Sequence, residues 1–92
     1  MADSEKRRPP AAELLALGET VRRLRLAKGL VPEDLAQTSG LTRMTIMNVE
    51  RGHRDVRVGT LIDIARALGI GLGDLIAQAG IDSIDDDSET AP

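Results

Sequence analysis

Apolar residues recur at helical spacing through the middle of the chain. Between residues 13 and 80 they return every three or four positions, and no stretch alternates apolar with polar as a half-buried strand would. Leu14, Leu17, Val21 and Leu24 make one stripe, which predicts a helix over about 13–28, with Lys28 in its last turn and Gly29 as its stop. Pro32 suits the first position of a second helix, and Glu33 and Asp34 suit the positive end of its dipole. That helix runs to about Thr38 and turns Leu35 and Ala36 inward. After Ser39-Gly40, Thr42 is placed as the N-cap of a third helix running to about Arg51, with Ile46 and Val49 on its inner face and Gly52 at its end. A fourth helix covers about 58–68 around Leu61, Ile64, Ala65 and Leu68, and a fifth covers about 72–79. Helices this short are unstable alone in water and must pack together. The expected fold is all-α, a compact bundle of four to five short helices.

The flanks differ from this middle. Residues 1–12 are polar and charged and include Pro9-Pro10, which reads as a flexible N-terminal arm. Residues 81–92 carry five acidic residues and no basic one, a tail too polar to offset its own ordering entropy. The domain proper is residues 13–80.

Composition narrows the chemistry. The chain has no Cys, one His and no Phe, Trp or Tyr. A disulfide, a thiolate metal site and an aromatic stacking platform for single strands are excluded, and the core must be aliphatic. No cofactor and no bound metal are expected. No apolar run reaches the roughly 18 residues of a membrane span, and the N-terminus lacks the apolar segment of a secretory signal, so a cytoplasmic protein without a membrane partner is the expectation. No nucleophile–base pair or glycine-rich phosphate loop stands out, which argues against an enzyme. Asp85-Asp86-Asp87 lacks the Gly and distal Glu of a calcium loop. The chain is too short to add a ligand-sensing domain, so no small-molecule ligand is expected.

The second and third helices form a helix–turn–helix unit. Ala36 lets the two helices approach, and Gly40 permits the left-handed backbone that redirects the chain. Helical geometry then sorts the third helix. With Ile46 inward and 100° per residue, Val49 and Glu50 fall within about 60° of the inward direction. Met44, Asn48 and Arg51 lie on the far side, and Met47 flanks them. An outward face of this kind can enter a major groove with Arg43 at its start. Arg pairs best with guanine and Asn with adenine, and a methionine can meet a thymine methyl. Arg51, His53, Arg54 and Arg57 follow closely and are candidate phosphate contacts.

The stretches Arg22-Arg23-Leu24-Arg25-Leu26-Ala27-Lys28-Gly29-Leu30, Glu33-Asp34-Leu35-Ala36, Gly40-Leu41-Thr42-Arg43, Val49-Glu50-Arg51-Gly52-His53-Arg54 and Thr60-Leu61-Ile62-Asp63-Ile64-Ala65-Arg66-Ala67-Leu68-Gly69-Ile70 together resemble the Cro and phage-repressor (XRE-type) helix-turn-helix family. The resemblance covers about 60 residues, Leu17 to Ile76. It implies a lambda-repressor-like DNA-binding domain in a bacterial or phage transcription regulator, usually a homodimer on double-stranded DNA. It implies base contacts from Arg43, Met44 and Asn48, to which the face geometry adds Met47. Candidate phosphate contacts are Thr42, Arg51, His53, Arg54, Arg57, Arg22 and Arg23. It also implies an ion pair between Arg25 of the first helix and Glu50 near the end of the third. Glu50 needs a partner in any case, since it lies close to the inward direction.

The chain departs from the family at two places. Val31-Pro32 stands where relatives have Ser or Thr followed by a phosphate-anchoring Gln, so that contact is missing or passes to Arg22 or Arg23. Val56 stands where relatives often have Pro. Leu72, Leu75, Ile76 and Ala79 offer a dimer surface or, equally, a cap on the core. The competing reading is a protein-interaction module on the same fold, such as an antitoxin or co-regulator with another protein as partner.

Charge bears on both readings. The net charge of −3 (12 basic against 15 acidic residues) looks unfavourable for DNA. The deficit is local to the tail, because residues 13–80 hold nine basic against eight acidic residues. The tail is expected to compete with phosphate for the basic face, so its removal should raise DNA affinity at low salt.

Overall fold

The computed structural model describes residues 11–53 and 55–81, and within them the chain is five helices joined by short connections. They are α1 (Ala11–Ala27), α2 (Pro32–Ser39), α3 (Arg43–Arg51), α4 (Val58–Ala67) and α5 (Leu72–Gln78). The helix ends fall within two residues of those read from the periodicity. The largest difference is at the start, where Ala11 and Ala12, assigned to the arm, belong to α1. Alanine is the best helix former, so the helix extends back onto them.

One aliphatic core joins the five helices. Leu17 and Val21 of α1, Leu35 and Ala36 of α2, Ile46 and Val49 of α3, Leu61, Ile64 and Ala65 of α4, Leu68 and Leu75 are all buried. Leu24, Leu41, Val56, Ile70, Leu72, Ile76 and Ala79 pack partly buried around it. The helix α1 lies against α3 and α5, α2 against α3 and α4, and α4 against α5. So α3 is held between α1 and α2 along one side, and its opposite side is left outward.

The crossing of α1 and α3 is unusually close. Gly18 is buried in α1, and a Cβ placed on it would meet the Glu50 carbonyl oxygen at 2.6 Å and the Glu50 carbonyl carbon at 2.8 Å, with the Val49 carbonyl oxygen nearer still. On the other strand of the crossing, a Cβ on Gly52 would meet Leu15 Cα at 2.9 Å and the Leu14 oxygen at 3.0 Å. Gly52 also has φ +62°, which L side chains rarely adopt. Two glycines therefore let the first turns of α1 seat against the end of α3.

This contact gives a stability prediction with a built-in control. Alanine favours a helix interior over glycine by about 1 kcal/mol. At Gly18 the obstructing atoms are backbone carbonyls, which cannot rotate aside as a side chain can. Gly18→Ala is expected to lower stability by about 1–3 kcal/mol despite the propensity gain. Gly59→Ala in α4 has open space around it and should raise stability by about 0.5–1 kcal/mol. Urea midpoints of the two variants check this, and a stabilised Gly18→Ala protein would contradict the close crossing.

Candidate nucleic-acid interface

The outward helix α3 begins and ends on local chemistry. Thr42 adopts extended backbone at the N-cap, and its Oγ1 accepts from the Thr45 N–H at 3.1 Å while lying 2.9 Å from Thr45 Oγ1. This satisfies one of the donors that a helix start leaves open. The turn before it is set by Gly40 (φ +78°), where the N–H groups of Gly40 and Leu41 both donate to the Ala36 carbonyl, at 2.9 and 3.0 Å. At the far end the Gly52 N–H donates to the Val49 carbonyl and the His53 N–H to the Asn48 carbonyl, at 3.0 and 3.1 Å, closing the last turn.

The structure brings Arg25 and Glu50 together. Arg25 Nε donates to Glu50 Oε2 at 2.6 Å and Nη2 donates to Oε1 at 2.9 Å, a bidentate fork. Both side chains are 8% exposed. A third donor, Nη1, reaches the Leu30 carbonyl at 2.7 Å. One guanidinium thus ties the end of α1, the connection to α2 and the end of α3. Hydrogen bonding of Arg25 to the Glu50 carboxylate raises the Arg25 pKa, burial opposes it, and the opposite charge adds to the rise. Arginine is in any case protonated at all ordinary pH.

The remaining candidates divide by place. Arg43 and Met44 are exposed on the first turn of α3, Met44 to 57%. Met47 and Asn48 are half-buried on opposite flanks of α3. Met47 shares a depression with Arg22, Arg25, Pro32, Glu50 and Arg51, between α1, α2 and α3. Asn48 shares one with Thr45, Asp55, Arg57 and Thr60, toward α4. Arg51, His53 and Arg57 are exposed. Arg22 and Arg51 thus meet across one depression. Arg23 instead lines a separate depression on α1 with Glu19, Arg22 and Leu26. Arg54 lies outside the described residues, as do most of the N-terminal arm and of the acidic tail.

A family model described as helix-turn-helix matches residues 21–75. The chain belongs to the helix-turn-helix family. Control protein C.SmaI of Serratia marcescens is 42% identical over 65 residues, spanning 71% of this chain and 77% of that protein. Among solved structures, the restriction-modification controller protein C.AhdI from Aeromonas hydrophila superposes with a TM-score of 0.67 at 44% identity, over 70% of this chain and 97% of that one. The clp gene regulator ClgR from C. glutamicum superposes with a TM-score of 0.69 at 29% identity, over 74% and 87% of the two chains.

The structure corrects one member of the expected dimer surface. Leu75 is fully buried within this helix-turn-helix domain, because α5 packs on both α1 and α4 and turns Leu75 between them. Leu72, Ile76 and Ala79 remain half-buried at the edge of the core. Two structural roles escaped sequence reasoning, one of a residue not singled out and one of a residue read only as a dipole partner. The first belongs to Gly18, whose signal was a glycine on the apolar stripe of α1 between Leu17 and Val21. The second belongs to Asp34, whose Oδ2 accepts from the Val31 N–H at 3.1 Å, so α2 is capped from its third position where Val31 has no acceptor to offer. Among the described residues no helix is long and apolar enough to cross a membrane, and no group of three or more His, Cys, Asp or Glu could hold a metal ion.

The Arg25–Glu50 tie is testable as a pair. Glu50→Ala strands a buried guanidinium and should cost about 3–5 kcal/mol. Replacing both partners by apolar residues of similar size, Arg25→Met with Glu50→Leu, should recover most of that loss. Denaturant midpoints of the two variants decide it. A double variant as unstable as Glu50→Ala alone would show that the loss is not one of unpaired charge.

Proposed function

We propose that this helix-turn-helix protein regulates transcription by binding a two-fold site in double-stranded DNA as a homodimer, with α3 in the major groove of each half-site. Family membership and the regulator relatives support regulation through DNA binding. The observation that carries the geometry is the partition of α3. Ile46 and Val49 are buried, Glu50 is clamped by Arg25, and the first turn stands free in solvent with Arg43 and Met44 on it. A helix held on one side and open at its N-terminal end suits base reading in the major groove.

Arg43, Met44, Met47 and Asn48 are the base-reading residues of this proposal. Arg43 would pair with guanine, Asn48 with adenine, and the methionines would meet thymine methyls. Arg22, Arg23, Thr42, Arg51, His53, Arg54 and Arg57 hold phosphates. A single small domain reads few bases, so two copies are needed for useful specificity, and the edge formed by Leu72, Ile76 and Ala79 is the apolar surface offered for pairing. The protein works in the cytoplasm and acts by occupancy, with no chemistry of its own.

Selecting bound duplexes from a random pool, at several salt concentrations, tests the reading as a whole. A two-fold consensus with half-sites about one helical turn apart is expected, with binding that weakens steeply as salt rises. Arg51→Ala should weaken all duplexes alike and flatten the salt slope by about 1, whereas Arg43→Ala should relax preference at one base position and cost about 1–3 kcal/mol there. No binding at low salt would instead favour the protein-interaction module. A protein that sediments as a monomer at every concentration would remove the homodimer.

A further inference from the structure

The chain has three methionines and no Cys, Trp, Tyr or Phe, so thioether sulfur is its most readily oxidised group. Two of the three methionines lie on the nine residues of α3. Their settings differ. Met44 is 57% exposed on the outward first turn, beside exposed Arg43. Met47 is half-buried, with Arg22, Pro32 and Arg51 around it. Reactivity toward an oxidant follows access, so the two should not react together.

We propose that Met44 is an oxidation site through which peroxide switches off DNA reading by α3. The proposal rests on the assignment of α3 to the major groove. In the reaction the Met44 sulfur attacks one oxygen of hydrogen peroxide. The O–O bond breaks, an S–O bond forms, the thioether becomes a sulfoxide, and the peroxide is reduced to water. The product no longer offers a soft apolar tip. It carries a strongly polar oxygen that can only accept hydrogen bonds. The major-groove edge of each purine presents N7 as an acceptor, and thymine presents O4 and a methyl group. The groove's donors sit on adenine N6 and cytosine N4, so a sulfoxide placed at a thymine methyl gives up that contact and sets its oxygen against the O4 acceptor. Nothing in the core depends on Met44, so the change is local and reversible by methionine sulfoxide reductases. An arginine or lysine at this place would read bases without this sensitivity.

The test uses the full chain, treated with graded hydrogen peroxide, mapped by peptide mass spectrometry and assayed on a duplex selected by the untreated protein. Met44 should gain one oxygen before Met47 does, and affinity should fall about tenfold in step with Met44 oxidation. Bound duplex should slow oxidation of Met44, and reductase treatment should restore affinity. The affinity of Met44→Leu, whatever its starting value, should be the same before and after peroxide, while Met47→Leu should stay sensitive. The circular dichroism melt of the oxidised protein should match that of the untreated one. Earlier oxidation of Met47, unchanged affinity at full Met44 oxidation, a sensitive Met44→Leu protein or an unfolded oxidised protein would each overturn the proposal. If untreated protein binds no duplex at any salt concentration, the groove assignment itself fails and the switch falls with it. The order of oxidation is read by mass alone, so the two failures are told apart.

Discussion

At the crossing of α1 and α3 two backbones meet with no side chain between them. Gly18 lies under the carbonyls of Val49 and Glu50, and Gly52 lies against Leu14 and Leu15. Contact this close fixes the height of α3 on the domain, because backbone atoms yield far less than side chains do. About two turns beyond Gly18 along α1, the buried Arg25–Glu50 fork fixes the same helix in a second way, by direction and register. Together they make the end of α3 the least movable part of the helix and leave its first turn, Arg43 to Thr45, as the part that projects.

The fork is better understood as a positioning device than as a source of stability. Desolvating an arginine and a glutamate costs several kcal/mol each, and their attraction recovers that cost only when the geometry is good and the remaining donors are satisfied. The geometry here is good, since the fork is bidentate, and a third N–H donor of the five on Arg25 reaches the Leu30 carbonyl. The same guanidinium therefore bonds the connection between α1 and α2. Any shift of α3 against α1 would break charge-assisted hydrogen bonds in a poorly hydrated site. A rigid presentation of this kind matters for a reading helix, because base-edge hydrogen bonds tolerate little error in position.

Most of the fold was legible in the sequence because its signals are local and periodic. Leu17, Val21, Ile46, Leu61, Ile64 and Leu68 follow the 3.6-residue repeat and are all buried. Thr42, Gly40 and Gly52 are cap residues whose roles follow from backbone chemistry alone. The pairing of Arg25 with Glu50 is not local. Periodicity required only that Glu50 have a partner, and it was the family resemblance that named Arg25. Gly18 was missed because a glycine within a helix reads as a weak helix former, and only the facing carbonyls show what its missing side chain permits. Leu75 misled for a related reason. A short helix with four apolar positions looks too apolar for one small core, until α5 is seen to contact both α1 and α4 and to need Leu75 between them.

The electrostatics of the α2 end follow from the same residues. Helix N-termini ordinarily attract anions through free N–H groups and the dipole. Here Pro32 has no N–H, the Asp34 carboxylate already accepts from Val31, and Glu33 and Asp34 put two negative charges in the first turn. A phosphate arriving at this end would meet a dipole already answered and two like charges. Across the adjoining depression stand Arg22 and Arg51, with the charge of Arg25 between them spent on Glu50. Charge on this flank is therefore supplied by guanidinium groups in place of backbone, and at physiological salt it acts over about 8–10 Å. The whole-chain charge of −3 is a poor guide to what the face would attract, because residues 13–80 hold nine basic against eight acidic residues.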